Sequence, residues 1–350
     1  MKVLVTGGAG FVGSHVAERC LEKGDDVVVF DDLSRSGVLG KGRRSTDAYN
    51  LEFLKGKKGK LSFVNGDVRS PEAVGRAARG AKTIYHIAGQ VAVTASLADP
   101  RRDFEVNALG TFNVMEAARE NDAAVLFTST NKVYGENVNG VKLKESSGRY
   151  AFDDPRYAEG IPEAFPVDLA GHSPYGASKL AGDLYVQEYA HSYGLSASVF
   201  RMSCIYGERQ FGVEDQGWVA WFVIASLTGR PITVYGDGKQ VRDVLYVGDL
   251  VDAMELALSK KRTGEVFNVG GGAENTLSLL ELLDIIRKLP GCEVQTKWSD
   301  WREADQKVYV SDIRKAQSAL GWKPKTVPAE GVTRLHRWAY DNRGIFATGP

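Results

Sequence analysis

The chain has 350 residues, 44 basic against 44 acidic side chains, 43% hydrophobic residues and 39 glycines. That length suits one large α/β domain or two closely joined ones, and the charge balance leaves no surplus of Lys and Arg to neutralise nucleic-acid phosphates. Glycine, at about 11% against a usual level of roughly 7%, lacks the strict period of collagen, so its placement carries the information. Cys20, Cys204 and Cys292 are too far apart and too odd in number for a disulfide framework or a ligand pair. The five histidines show no zinc spacing, and no metal is expected. No apolar run approaches the roughly 18 residues of a membrane span, and Met1-Lys2 leads straight into a strand pattern without a leader signature. The expectation is a soluble, cytoplasmic protein with neither a nucleic-acid nor a membrane partner. The basic run Lys55–Lys60 reads as a solvated loop.

In chain order, short apolar runs alternate with helical periodicities. Lys2–Thr6, Asp26–Phe30, Leu61–Asn65, Thr83–Ile87, Ala123–Thr128 and Ser196–Arg201 predict buried parallel strands. Gly13–Lys23, Ser70–Ala78, Phe104–Glu120 and Pro174–Ser192 predict the helices between them. This βαβα order predicts an α/β fold with a Rossmann-type doubly wound parallel sheet. The stretch Gly135–Ser173 reads as a long excursion, a length of loop that is usually functional. After Gly207 the pattern is less regular, with helices predicted near Trp218–Thr228, Val247–Ser259, Leu277–Leu289 and Ile313–Leu320. The expected division is 1–206 for a dinucleotide-binding domain and 207–350 for a smaller substrate-binding α/β lobe, with some chain crossing between them.

Thr6-Gly7-Gly8-Ala9-Gly10-Phe11-Val12-Gly13 closes the first strand and opens the first helix. Glycine there permits a tight turn, lets backbone approach a pyrophosphate and allows strand and helix to pack closely, while the helix N-terminus offers N–H groups to the anion. The second strand ends at Asp31, 18 residues beyond Gly13. That is near the roughly 20-residue offset at which a carboxylate bonds the adenosine ribose, and the same charge repels a 2′-phosphate. The expected cofactor is therefore NAD. Arg35 keeps the NADP alternative open. Asp67, with Val68, ends the third strand within reach of an adenine amine, and Ala88-Gly89-Gln90 ends the fourth, where backbone can pass close to the dinucleotide.

Tyr175-Gly176-Ala177-Ser178-Lys179 sets a phenol and an ammonium four residues apart, on one face of a helix. A free phenol, with a pKa near 10, is too weak a base at neutral pH, and a neighbouring ammonium lowers that value. Tyr175 is then a candidate general base. The fifth strand runs into Thr128-Ser129-Thr130-Asn131-Lys132-Val133-Tyr134-Gly135, where a hydroxyl at the strand end can share the substrate proton.

The combination of the Thr6–Gly13 loop, the Tyr175–Lys179 pair and the Ser129–Gly135 strand end resembles the extended short-chain dehydrogenase/reductases that act on nucleotide sugars. The resemblance implies Thr130, Tyr175 and Lys179 as catalytic residues and Asn107 as the structural Asn of the active-site helix. It implies NAD contacts from Gly7, Gly10, Phe11, Val12, Gly13, Asp31, Asp32, Ser34, Arg35, Asp67, Val68, Ala88, Gly89, Gln90, Asn107, Tyr175, Lys179 and Met202. Family members that dehydrate sugars carry an Asp-Glu pair after the catalytic Thr, supplying acid and base for elimination. This chain has Asn131-Lys132 instead, which leaves oxidation and re-reduction of one carbinol, that is, epimerisation.

Longer stretches, among them Tyr206–Phe211, Asp215–Val219, Gly238–Leu245 and Arg302-Glu303-Ala304-Asp305-Gln306, are similar to the CDP-paratose 2-epimerase (CDP-tyvelose epimerase) subfamily. What that resemblance implies is C2 epimerisation of a nucleotide-diphosphate hexose, a CDP-sugar by preference, through a 2-keto sugar. Implied substrate contacts are Gln90, Asn131, Cys204, Arg209, Gln210, Gln216, Val219, Tyr235, Arg242, Arg302 and Asp305. Cys204 stands where many relatives place Asn, which puts that pyrophosphate contact in question. His172 fits either a sugar hydroxyl or loop packing, and His86 reads as core. Epimerisation of a UDP-sugar at C4 and a non-catalytic NAD-binding regulator are the alternatives. The family implies a homodimer or homotetramer.

Overall fold

The computed structural model describes residues 1–35, 45–302 and 305–347. The first six predicted strands form, to within three residues at either end, and all but the third, the partly exposed edge strand, are largely buried. They are β1 (Lys2–Thr6), β2 (Asp26–Asp31), β3 (Lys60–Asn65), β4 (Thr83–His86), β5 (Ala124–Thr130) and β6 (Ala197–Met202). A seventh, β7 (Glu265–Val269), is an addition that the sequence pattern did not mark. The sheet order is β7-β6-β5-β4-β1-β2-β3. Strands β3-β2-β1-β4-β5 pair in parallel, with the chain reversing its direction of winding between β1 and β4. In such sheets ligands bind beyond the carboxyl ends of the strands at that switch point.

Helices α1 (Phe11–Glu22), α2 (Pro71–Ala78), α3 (Gly110–Asn121) and α4 (Pro174–Tyr193) flank the sheet. Val114 and Met115 of α3 and Val186 and Tyr189 of α4 pack with Leu4, Ile84, Val125 and Phe127 in one core, all below one-tenth exposed. Serines cap two of these helices: Ser70 accepts from the Ala73 amide, and Ser173 from the Gly176 amide. The predicted helix Phe104–Glu120 is broken. Pro100–Phe104 is α-helical, Glu105–Leu109 is a π-helical turn, and α3 resumes at Gly110. Such turns cluster at functional sites, and this one carries Asn107.

Two compact units result, each assembled from interleaved segments rather than from one cut. The first comprises Met1–Val133, Ser173–Arg201 and Val251–Phe267, and the second Tyr134–His172, Met202–Leu250 and Asn268–Pro350. The excursion 135–173 therefore belongs almost wholly to the second unit, where it supplies an antiparallel hairpin, Leu143–Glu145 with Tyr150–Phe152. The second unit holds its own small sheets. Val241–Tyr246 pairs in parallel with Cys204–Tyr206 and Val308–Tyr309, and antiparallel with Thr276–Ser278. Its core centres on the helix Trp218–Leu227, apolar on all sides and correspondingly buried, against Leu282, Leu283, Ile286 and Leu335. Among the described residues no helix is long and apolar enough to cross a membrane.

Candidate active site

The glycine loop is built by exclusion. Gly7 has φ +68°, and a Cβ there would lie 2.7 Å from the Ala88 backbone nitrogen, so the end of β4 fixes this glycine. At Gly13 a Cβ would lie 2.1 Å from the Gly7 carbonyl oxygen, which is how closely α1 packs on the loop. At Gly10 the one neighbour that a Cβ would meet within 4 Å among the described residues is the Gly7 oxygen, at 3.1 Å. Gly10 precedes the first turn of α1 without a side-chain cap, so that turn presents its N–H groups as a helix N-terminus does to an anion.

Asp31 is tied down from both sides: the Ala9 amide donates to Oδ2 at 3.0 Å and the Leu33 amide to Oδ1 at 2.9 Å. Burial pushes its pKa up to about 6 against those two amides. Asp32 accepts from the Ser34 amide at 3.0 Å. Arg35 is half-buried, which lowers its pKa against the opposing charge of Asp47. Asp67 has a partner that the sequence reading lacked, since Arg69 Nε and its terminal nitrogen grip both carboxylate oxygens at 2.6–3.1 Å. Val68 is buried, and its carbonyl accepts from Asn113. These residues fit a dinucleotide: an open glycine, a helix N-terminus and a buried carboxylate at the next strand end.

Thr130 closes β5, and Tyr175 and Lys179 lie one turn apart on the buried face of α4. Burial pushes Tyr175 up to about 12, opposed by the Thr130 hydroxyl. Burial pulls Lys179 down to about 7, opposed by the carboxylates of Asp183 and Asp103. The Lys179 ammonium sits 4.1 Å from the centre of the Phe127 ring and has no hydrogen-bond acceptor among the described residues, so its donors are open to a ligand such as a ribose. His86 is a core residue, as its strand pattern predicts: it is fully buried, its ring lies 5.3 Å from that of Phe127, and it bonds Thr6 and Thr111.

Asn107 pins the Gly89–Gln90 turn, accepting from the Gln90 amide at 2.9 Å and donating to the Gln90 carbonyl at 3.0 Å. The Gln90 side chain is spent within the unit: its Nε2 donates to Ala92 O and Asp103, and its Oε1 accepts from the Ala92 amide. Its contribution to a ligand is thus backbone rather than amide side chain. Asn131 is buried, its Oδ1 3.3 Å from Thr130 Oγ1.

The remaining candidates lie in the second unit. Arg302 lies over the Tyr235 ring at 4.0 Å, donates to the Glu214 carbonyl at 3.2 Å and pairs with Asp215 at 3.3 Å, while the Tyr235 hydroxyl donates to Glu214. Arg242 pairs with Asp305 at 2.7 Å. Glu303 and Ala304 lie outside the described residues. Arg209 is buried with φ +62°, and Gln210 donates to Ile205 O. Gln216 forms a tight turn with Val213, each amide donating to the other's carbonyl at 2.9 Å. Val219 has its side chain in the core, 2% exposed, which leaves backbone as what it can offer. Cys204 accepts from Trp218 Nε1 at 3.4 Å, and Met202 ends β6. His172 bonds Ala170 O and lies against Gly135, the loop-packing alternative.

The sequence reading missed the buried carboxylates. Asp183 is fully buried, held by Arg201 Nε at 2.9 Å and by Ser129 Oγ at 2.8 Å. It stands four residues after Lys179, the same spacing that linked Lys179 to Tyr175, so the signal was there. Asp103 stands four before Asn107, across the π-turn, where helical spacing is no guide.

The sequence profile described as the NAD dependent epimerase/dehydratase family matches residues 3–270. The CDP-paratose 2-epimerase of Salmonella typhi is 41% identical, covering 97% of this chain and 99% of that protein. A putative UDP-glucose 4-epimerase of Methanocaldococcus jannaschii is 33% identical over 97% of this chain and 99% of its own length. Among solved structures, the Thermus thermophilus UDP-glucose 4-epimerase in complex with NAD is similar with a TM-score of 0.77 and 32% identity, covering 97% of this chain and 98% of that one.

Proposed function

The chain belongs to the NAD dependent epimerase/dehydratase family, and from that premise we propose that it is a nucleotide-sugar 2-epimerase that inverts C2 of a CDP-hexose, paratose to tyvelose in type. The observation that carries the reaction type is the end of β5. Thr130 closes that strand and its hydroxyl works against the burial that raises the Tyr175 phenol, while the next two positions, Asn131 and Lys132, offer no carboxylate for water elimination. The identity of 41% to a protein named for C2 chemistry supports the position on the sugar.

When bound, NAD supplies the acceptor that holds the C2 hydride and gives it back. Tyr175 removes the C2 hydroxyl proton as the hydride leaves, with Thr130 sharing the hydroxyl. Lys179 contributes positive charge and donors for the cofactor ribose. The 2-keto sugar turns about its diphosphate linkage, receives hydride on the opposite face and takes the proton back from Tyr175, passing from gluco to manno configuration. The redox balance closes within one turnover. Gly7, Gly10, Gly13 and Asp31 would hold the cofactor. Arg242, Arg302, Tyr235, Gln216 and Asp305 would anchor the nucleotide, with Arg209 and Gln210 alongside, leaving the sugar few fixed contacts and freedom to turn.

Epimerisation of a UDP-sugar at C4 is the second reading, supported by the 33% identity to a putative UDP-glucose 4-epimerase. The deciding experiment incubates purified protein with CDP- and UDP-hexoses and follows the C2 and C4 protons by NMR, with Tyr175→Phe as the control. Inversion at C4 alone refutes the C2 reading. The absence of conversion with any sugar nucleotide favours a regulator. The proposal includes a homo-oligomer in the cytoplasm, which sedimentation of the purified protein and fractionation of cells would test.

A further inference from the structure

Behind the Tyr175–Lys179 pair lies a closed polar cluster that none of the chemistry above requires. Asp103, 1% exposed in the short helix Pro100–Phe104, accepts from Gln90 Nε2 at 2.8 Å and Asn107 Nδ2 at 3.2 Å on one oxygen, and from Ser178 Oγ at 2.5 Å on the other. Asn107 Nδ2 also reaches Ser178 Oγ at 3.1 Å. Buried polar side chains from three separate segments therefore converge on one carboxylate. All three of its side-chain donors are neutral, and no cation hydrogen-bonds to it among the described residues. An unpaired buried charge is costly, so it needs a counter-charge nearby.

The cation next to this cluster is Lys179, the neighbour of Ser178 in sequence. A Cβ built on Gly89 would lie 3.0 Å from Asn107 Oδ1 and 3.8 Å from Lys179 Nζ, which puts the amine against the turn that the cluster clamps. The groups facing Lys179 are few. From its own helix comes Asp183, whose charge is already met by Arg201 and Ser129. From β5 comes the face of Phe127, and from β4 comes His86, which burial keeps neutral by lowering its pKa to about 3. From the short helix comes Asp103.

We propose that Asp103 is a positioning residue of the proton-transfer site: it orders the Gly89–Gln90 turn through Gln90 and Asn107, and it is a buried counter-charge that, together with Asp183, keeps Lys179 an ammonium. This rests on the proposed function only in taking Lys179 as the partner of Tyr175. The direction agrees with the electrostatics of the pair, since burial draws Lys179 down to about 7 and the Asp103 charge works against that fall.

The test measures Lys179 itself, so it does not depend on which sugar is turned over. Protein labelled with ε-¹³C-lysine is titrated by NMR, and the Lys179 signal is identified by its loss in Lys179→Met. Asp103→Asn retains an acceptor for Gln90 and Asn107 but removes the charge. The Lys179 midpoint is expected to fall by roughly one pH unit or more, the size of effect a neighbouring charge exerts. Ser178→Ala loosens the same cluster but keeps the charge, and is expected to leave the midpoint where it is in the parent. Where turnover is measurable, the alkaline limb of kcat moves down with the midpoint in Asp103→Asn alone. Asp103→Ser, which leaves space for a water among the donors, carries the same expectation if the Asn variant does not fold. An unmoved midpoint without the charge overturns the proposal, as does an equal fall in Ser178→Ala, which would mean only that the cluster had loosened. Loss of all turnover with a shifted midpoint would instead fault the choice of substrate.

Discussion

Gly10 and Gly13 separate what the loop does for the fold from what it does for a ligand. In Gly13→Ala the new Cβ would lie 2.1 Å from the Gly7 carbonyl oxygen, about 1.3 Å short of the 3.4 Å at which ordinary contact begins. The obstacle is backbone on both sides, so α1 must move away from the loop. Overpacking of this kind costs about 3 kcal/mol at the upper end of its usual range, and the better helix propensity of Ala returns about 1 kcal/mol. The net loss of about 2 kcal/mol corresponds to a fall in Tm of roughly 3 °C for a chain of this length. In Gly10→Ala the Cβ meets one atom, Gly7 O, at 3.1 Å, which a few tenths of an ångström relieve. Its Tm should fall by less than about 2 °C, the expected cost of Ala at that position before the helix being well under 2 kcal/mol. Yet a methyl on Gly10 stands where backbone must approach the pyrophosphate, so NAD binding by calorimetry should weaken at least about tenfold, or 1.4 kcal/mol, in both variants. A Gly10→Ala protein that binds NAD as the parent does would refute the assignment of the loop, and an unchanged Tm in Gly13→Ala would refute the steric reasoning.

Tyr175→Phe removes the general base but none of the core, so conversion followed by NMR should fall by roughly a hundredfold to ten-thousandfold while the circular dichroism spectrum stays that of the parent. Arg302→Lys keeps the charge and loses the planar stack on Tyr235, so KM for the sugar nucleotide should rise by about tenfold with kcat nearly unchanged, and an effect confined to kcat would contradict a binding role. His86 is held neutral in the fold, with its pKa lowered by burial from 6.5 to about 3. The unfolded chain takes up that proton near 6.5 and the folded protein only near 3, so stability drops as pH falls through this window. The slope for this one group is at most about 1.4 kcal/mol per pH unit. Urea denaturation from pH 7 to 4 should show that slope flattened in His86→Gln.

What could be read from sequence and what could not divides along physical lines. The strands β1, β2, β4, β5 and β6 are buried on both faces and the loop before α1 is forced by glycine sterics, so their residues display them. Ser70 and Ser173 announce α2 and α4 because a cap is a local hydrogen bond. The π-turn at Asn107 is different: Phe104–Glu120 has continuous helical periodicity, and the extra residue in the turn is set by packing and by bonds to Gln90 and Ser178, which are remote in the chain. The strand β7 was missed because it is short and joins the edge of the sheet more than sixty residues after its neighbour β6. Asp103 and Asp183 look in sequence like two acids on amphipathic helices, and only tertiary burial makes them charges that matter.

The pairing of Tyr175 with Lys179 reads from spacing as an ammonium lowering a phenol. In the folded protein the balance is reversed, because burial acts on both groups and in opposite directions on their protons: the phenol rises to about 12 and the amine falls to about 7. Asp103 pushes the same way on both, favouring the ammonium and disfavouring a phenolate. The protein's own groups thus hold Tyr175 as a phenol at neutral pH. A protonated phenol cannot accept the C2 hydroxyl proton, so Tyr175 must first lose its own proton to act as base, a loss that the positive charge of a bound nicotinamide would favour, and the proton it then takes at the first step is the one it returns at the second. Thr130, whose hydroxyl opposes the effect of burial on the phenol, is placed to ease the first step, while Asp183 and Asp103 keep the amine charged through both. Burial and the Asp103 charge, which hold the phenol protonated in the absence of cofactor, are therefore what a bound dinucleotide must outweigh before turnover, and the cycle then ends with every group in the state in which it began.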